Sequence, residues 1–286
     1  MLSDAFLNRL DTLALHIRRQ SGAAGGGLRR SKALGSSVEF SDFRKYAPGD
    51  DIRRIDWNAY ARFERLFLKL FLEEREVQVN LIVDASASMG FGSPSKLRCA
   101  SLLAQAIGYL ALRGGDCVTA FTLGTEVRRT RALRGRHCYA ELAAFLDGAI
   151  AQGQARLNQS VPSLPLPNGG MTVFVGDVLC EDGYDRAFHS LFYRRQELSV
   201  CQVLSPQEWE PSLETIAELE DSETGDTFVV AAGYDVLRRY REAAQSYVAS
   251  LRAFLHARGA AHVLLLTEDD FEKALLRALS RSGLVA

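Results

Sequence analysis

Short apolar runs alternate with segments of helix-type periodicity over most of the chain. The segments place apolar residues every three or four positions, as an amphipathic helix does. The apolar runs of strand length lie at 79–84, 117–123, 171–177, 198–204 and 262–267. This alternation predicts parallel βαβ units, with helices on both faces of a doubly wound, mostly parallel, Rossmann-like α/β sheet. A run that is apolar at every position, such as 81–83, fits a strand buried on both sides.

A hairpin and the two N-terminal segments of the chain depart from this alternation. The stretch TIAELEDSETGDTFVVAA (215–232) reads as two strands around the turn SETGD, which predicts an antiparallel hairpin at the edge of the sheet. We therefore expect three regions. They are an N-terminal helix and glycine-rich linker (1–28), a charged and aromatic segment packed on the sheet (29–75), and the α/β domain itself (76–286).

Composition narrows the class of partner. The 286 residues carry 34 basic and 35 acidic side chains, and a formal net charge of −1 gives no reason to expect nucleic acid as a partner. No apolar stretch approaches the ~20 residues that a bilayer-spanning helix needs, so we expect no membrane insertion. Five cysteines without a CxxC pair indicate reduced thiols, and we expect a cytoplasmic protein.

Oxygen-bearing side chains follow two of the predicted strands. Asp84, Ser86 and Ser88 come at alternate positions after one strand, and Asp177 ends another. The carboxyl ends of parallel strands meet at one edge of a sheet, where ligands bind in such folds. Carboxylate and hydroxyl oxygens suit Mg²⁺ or Mn²⁺. The alternative is structural: the two serines are turn and capping residues, and Asp84 merely ends a strand.

Motifs of the common catalytic classes are missing from the sequence. It contains no HExxH, no GxSxG and no Walker-type GxxxxGK[ST], which favours a protein that is not an enzyme. A phosphoester hydrolase with Asp84 as nucleophile stays open as a third hypothesis. Such enzymes want a second acid two residues later, where this chain has Ser86.

Several motifs together resemble a known family. The pattern DASAS resembles the first loop of the metal-ion-dependent adhesion site of von Willebrand factor A domains. The wider chain resembles the domain-of-unknown-function 58 family in the stretches EFSDFRKYAPGDDIRRIDWNAYAR (39–62), EEREVQVNLIVDASASMGFG (73–92) and LEDSETGD (219–226). The resemblance implies a von Willebrand A-like domain, often encoded beside MoxR-type AAA+ ATPases, with no established biochemical activity. It places Asp84, Ser86 and Ser88 in the first metal loop and Asp177 after the fourth core strand.

The second metal loop departs from that pattern. The family's site has a threonine there, and the corresponding stretch QGQARLNQ has Ala155 at its place. Thr172 lies inside a predicted strand and is a poor substitute, and Ser160 fits only with a shifted loop. The resemblance therefore implies a weakened, degenerate or partner-completed site. A metal there would bridge to an acidic residue of the partner.

These observations lead to an adaptor hypothesis. We expect a non-catalytic protein–protein interaction module that binds a MoxR-type AAA+ ATPase, or another protein with an acidic ligand residue, through the Mg²⁺-dependent site. A metal-independent scaffold that binds through the 39–62 surface is the alternative, since that segment is rich in Arg, Tyr and Trp. The same interleaved charges also fit a structural clamp that satisfies its own polar groups, and we prefer this interpretation of the segment.

Overall fold

A computed structural model describes residues 2–11, 38–48, 50, 52, 55–73, 76–180, 182–211, 217–223, 225–230, 233–267 and 274–276. The chain divides into two units, residues 1–19 with 77–286 and residues 20–76. The elements in chain order are α1 (Asp4–Leu10), β1 (Val38–Lys45), α2 (Trp57–Phe63), β2 (Phe67–Glu73), β3 (Gln78–Asp84), α3 (Lys96–Arg113), β4 (Cys117–Leu123), β5 (Val127–Arg129), β6 (Leu133–Arg134), α4 (Tyr139–Asp147), α5 (Leu157–Ser163), β7 (Met171–Gly176), α6 (Asp185–Tyr193), β8 (Glu197–Leu204), α7 (Pro206–Trp209), β9 (Ala217–Glu220), β10 (Thr227–Val230), α8 (Tyr234–His256) and β11 (Ala261–Leu266).

The larger unit is built on one mostly parallel sheet. Among the described residues its strand order is β11-β8-β7-β3-β4-β5, with β6 also paired to β4. All neighbouring pairs from β11 to β4 are parallel, whereas β5 and β6 run antiparallel to β4. The predicted α/β class with a mostly parallel central sheet is confirmed.

Successive residues of the central strand β3 belong to opposite faces of the sheet. Leu81 and Val83 join the apolar cluster that contains α1, α3 and α4, while Ile82 joins the cluster of α5, α6 and α8. All three side chains are fully buried. Burial on both faces explains why this strand is apolar at consecutive positions rather than at every second one.

The predicted position of the hairpin was wrong, although the hairpin itself forms. β9 and β10 pair with each other as a separate two-stranded ribbon within the described residues. The antiparallel edge of the main sheet is made by β5, which β4 reaches through the three-residue connection 124–126. A connection this short brings two consecutive strands together as a local pair, so β5 occupies the edge of the sheet beside β4.

The smaller unit contains the antiparallel pair of β1 and β2 and the short helix α2. Asp56 caps α2, since its Oδ1 accepts hydrogen bonds from the backbone N–H groups of Asn58 (2.9 Å) and Ala59 (3.2 Å). Trp57, by contrast, is exposed. Packing of segment 29–75 on the sheet stays a prediction.

The N-terminal helix is described from Asp4 to Leu10, and its Phe6 and Leu10 are fully buried. The glycine-rich linker predicted after it lies outside the described residues. In the part of the chain that the structure describes, we find no helix with the length and apolar character needed to cross a membrane.

Candidate functional site

The four predicted ligand residues lie together at the carboxyl ends of β3 and β7. Asp84 is the last residue of β3, and Asp177 directly follows β7 on the neighbouring parallel strand. The Ser88 hydroxyl donates to Asp177 Oδ2 (3.2 Å), and Ser88 Oγ lies 3.0 Å from Ser86 Oγ. Asp84 Oδ1 accepts from the Ser86 N–H (2.9 Å). The sequence pattern thus located one hydrogen-bonded cluster, and its role as a metal site stays a prediction.

Backbone conformation orients the Asp177 carboxylate. Val178, the next residue, has a φ of 59°, which is an unusual conformation for a β-branched side chain. Its carbonyl accepts a hydrogen bond from the Tyr247 hydroxyl (2.5 Å), which holds the turn in place. The turn lets the Leu179 N–H donate to Asp177 Oδ1 (3.0 Å), and so Oδ2 is directed at the cluster.

Gly176 makes room for Asp84 on the adjacent strand. A Cβ added to Gly176 would lie 2.5 Å from the Cβ of Asp84, closer than two non-bonded carbon atoms can approach. The absence of a side chain therefore lets the two strand ends come together at the site.

Gly176→Ala is expected to lower the free energy of unfolding by about 1–3 kcal/mol, the usual cost of overpacking a buried contact. Urea unfolding followed by circular dichroism measures this. The matched control is Gly233→Ala, because Gly233 has a φ of −82° and no atom of the described residues lies within 4 Å of an added Cβ. A loss no larger than that of the control would contradict the steric role of Gly176.

The second loop lies beside the first. The Gln152 N–H donates to the Ala85 carbonyl (2.9 Å), and the Ala87 N–H donates to the Gly153 carbonyl (2.9 Å). Ala155, however, is buried in the apolar cluster of α5 and α6, so its position offers no side-chain oxygen.

The structure does not show Thr172 or Ser160 as a replacement for the side-chain oxygen that Ala155 lacks. Thr172 pairs in register with Asn80, near the opposite end of the strands, and its hydroxyl donates to Gln196 Oε1 (2.8 Å). Ser160 is part of α5.

A lysine that the sequence patterns did not indicate completes the cluster. Lys96 is the first residue of α3, and its side chain is 0% exposed. Its Nζ donates to Asp177 Oδ2 (2.8 Å) and to Glu208 Oε1 (2.5 Å). Burial opposes the charged form, but the charges of Asp177 and Glu208 outweigh it and raise the pKa of Lys96 above its ordinary value. The group is an ammonium at neutral pH.

The environment of Asp84, unlike that of Lys96, disfavours the charged form of the side chain. Its carboxyl is 1% exposed, and this burial is the main reason why its pKa rises to about 7. The nearby charge of Asp177 raises the pKa further, while hydrogen bonds from Ser86 and the charge of Lys96 act in the opposite direction.

These residues, as arranged, do not fit a divalent ion. The Lys96 ammonium lies in contact with Asp177 Oδ2, the oxygen that would serve as a ligand, and Ala155 supplies none. Across the described residues, no group of three or more His, Cys, Asp or Glu side chains is arranged to hold a metal. The ammonium already supplies the positive charge that the cluster of oxygens requires.

Comparison with known proteins identifies the family. The sequence pattern of the family described as "Protein of unknown function DUF58" matches residues 42–250. The chain belongs to this family. Uncharacterized proteins of Mycobacterium bovis and Mycobacterium tuberculosis are 28% identical to this DUF58 protein, over 97% of its length and 90% of theirs.

Solved structures with lower similarity include the conserved hypothetical protein BatB from Bacteroides thetaiotaomicron. It shares 16% identity with the DUF58 chain at a TM-score of 0.40, covering 72% of this chain and 98% of its own. A manganese-loaded TRAP protein from Plasmodium vivax shares 17% identity at a TM-score of 0.35, covering 44% and 57%. At these TM-scores the similarities carry no conclusion about the DUF58 site.

Two signals in the DUF58 sequence mark the residues that motif analysis missed. A lysine at the first position of α3, with no acid in the first turn, is unfavourable beside the positive end of the helix dipole. Its presence there indicates a specific anionic partner. The stretch SPQE (205–208) is a capping box that begins α7 directly after β8, so Glu208 is placed at the same sheet edge.

Proposed function

We propose that the chain is a non-catalytic protein–protein interaction module, with a von Willebrand A-like domain in residues 76–286. Its binding face is the carboxyl end of the sheet. The supporting observation is that three of the loops that the structure describes at this end each expose one large apolar side chain. Phe91 in the first loop is 50% exposed, Ile150 in the second 67% and Leu179 in the third 47%.

Hydrogen bonds join these loops into one platform. The Gln152 N–H to Ala85 contact joins the first and second loops, and the Ser88 to Asp177 contact joins the first and third. Apolar patches rimmed by polar residues mark interaction sites, and we infer that these three side chains form such a patch. A recess of about 300 Å³ beside Gln154 and Cys180 adds a pocket for a partner side chain.

The proposed partner is a MoxR-type AAA+ ATPase, which the family resemblance implies and which would supply the energy of ATP hydrolysis. The resemblance also implies Mg²⁺ or Mn²⁺ at Asp84, Ser86, Ser88 and Asp177. The contact of Lys96 with Asp177 favours the form of the proposal in which the platform binds without metal. The location that we propose for this complex is the cytoplasm.

The hydrolase hypothesis and the hypothesis of binding through segment 39–62 differ in the support that they have. A hydrolase with Asp84 as nucleophile is disfavoured, because that carboxyl is buried and its Oδ1 accepts from Ser86. Binding through segment 39–62 is supported by the exposed Trp57 and Tyr60 of α2, and Phe63, the residue after the segment, is exposed on the same helix. That helix is the second candidate surface.

Leu179→Asp is expected to reduce binding of the purified MoxR-type ATPase from the same genome at least tenfold, since a central apolar contact is worth about 2 kcal/mol or more. Biolayer interferometry with the full chain, once in Mg²⁺ and once in EDTA, measures this. Tyr193→Asp is the matched control, because Tyr193 is exposed outside the three loops. Unchanged binding of Leu179→Asp together with loss in Trp57→Asp would move the surface to α2. No binding by the wild type would reject the partner.

A further inference from the structure

Lys96 is buried between two carboxylates of different elements. The Asp177 side chain is 2% exposed and the Glu208 side chain 21% exposed, with the fully buried Lys96 side chain between them. Lysine is almost never fully buried without a partner for its charge, because the desolvation cost is large. The double pairing therefore marks this ammonium as a fixed component of the cluster.

Both oxygens of Asp177 already have donors. Oδ1 accepts from the Leu179 N–H, and Oδ2 accepts from the Ser88 hydroxyl and from Lys96 Nζ. Magnesium binds carboxylate oxygens at about 2.0–2.1 Å and tolerates little distortion of its octahedral shell. A divalent ion on Asp177 Oδ2 would have to displace one of its two donors, Ser88 or Lys96, and Lys96 is the one whose positive charge repels the ion.

Glu208 occupies the far side of the ammonium. Its Oε1 contacts Lys96 Nζ, while its Oε2 accepts from the Ser205 N–H (2.7 Å) in the capping box of α7. The Glu208 carbonyl also accepts from the Tyr240 hydroxyl of α8 (2.8 Å). The chain thus supplies its own carboxylate–cation–carboxylate series, with Glu208 where a metal bridge would use an acid from another protein.

We infer that Lys96 is the resident cation of the site, clamped by Asp177 and Glu208, and that it excludes Mg²⁺ and Mn²⁺ from the cluster. The inference deepens the proposed function, because it concerns the charge at the centre of the same platform. Its test needs no partner, so it can fail or succeed independently of the proposed complex.

Mn²⁺ titration of the purified full chain, followed by the electron paramagnetic resonance signal of free Mn²⁺, tests the inference. Wild type should leave Mn²⁺ free up to millimolar concentration. Lys96→Met should bind one Mn²⁺ at least tenfold more tightly and gain thermal stability in its presence. Adding Asp177→Asn to that variant should abolish the gain. The control is Arg98→Met on the same helix, which should behave as wild type.

Two results would overturn the inference. One is tight binding of a single Mn²⁺ by the wild type that is lost in Asp177→Asn. The other is a Lys96→Met variant that binds Mn²⁺ no better than the wild type does. If Lys96→Met does not fold, the double variant Lys96→Met with Glu208→Gln carries the same test, because it leaves one fewer carboxylate without a counter-charge.

Discussion

Lys96→Met is expected to lower the free energy of unfolding by roughly 3–5 kcal/mol, the cost of removing one partner from a buried ion pair. The methionine keeps most of the apolar volume of the lysine stem but leaves the charges of Asp177 and Glu208 facing each other without the ammonium. Both contacts are short, at 2.8 Å and 2.5 Å. Urea unfolding at pH 7.5 in EDTA measures the loss.

Arg98→Met provides the comparison within the same helix. Arg98 pairs with Asp147 at 2.8 Å, but its side chain is 47% exposed and that of Asp147 28%. Water screens such a pair, so this variant should lose less than about 1 kcal/mol. Glu208→Gln added to Lys96→Met should recover part of the larger loss, since it removes one of the two repelling charges. Equal losses for the two methionine variants would show that the buried pair contributes no special stability.

Periodicity and the residues at the strand ends were sufficient to predict the mostly parallel sheet and the edge at which Asp84 and Asp177 meet. Continuous apolar runs identified strands buried on both faces, and β3 indeed sends Leu81 and Ile82 into opposite cores. The rule that parallel strands end at one edge then brought Asp84 and Asp177 together from positions far apart in the sequence.

Local patterns did not predict the pairing of Lys96 with Glu208. Lys96 and Glu208 are separated by 112 positions, and the contact depends on how α7 leaves the end of β8. The SETGD turn correctly predicted a hairpin, but turn chemistry does not specify which edge a hairpin joins. The edge beside β4 was already filled by β5, three residues further along the chain.

Asp84→Asn is expected to stabilise the protein at pH 8 and to leave its stability nearly unchanged near pH 4. The pKa of Asp84 rises from 3.8 to about 7 in the fold, mainly through burial. The folded state therefore holds a proton that the unfolded state has released between these two values. Wild-type stability falls as pH rises through this window, by up to about 4 kcal/mol at 1.36 kcal/mol per pKa unit. Asparagine carries no charge and escapes this loss.

Urea unfolding of both proteins between pH 4 and pH 8 in EDTA gives the difference in free energy at each pH. Asparagine keeps one oxygen for the Ser86 N–H that Asp84 Oδ1 now accepts, so this hydrogen bond is retained when the charge is removed. The control is Asp235→Asn in the first turn of α8, where the side chain is 77% exposed and the difference should stay within about 1 kcal/mol at every pH. A difference for Asp84→Asn that does not grow with pH would mean that its burial carries no electrostatic cost. A loss of stability at pH 8 would mean that the fold stabilises the Asp84 charge, so that Lys96 and the Ser86 hydrogen bonds together outweigh burial and the repulsion by Asp177.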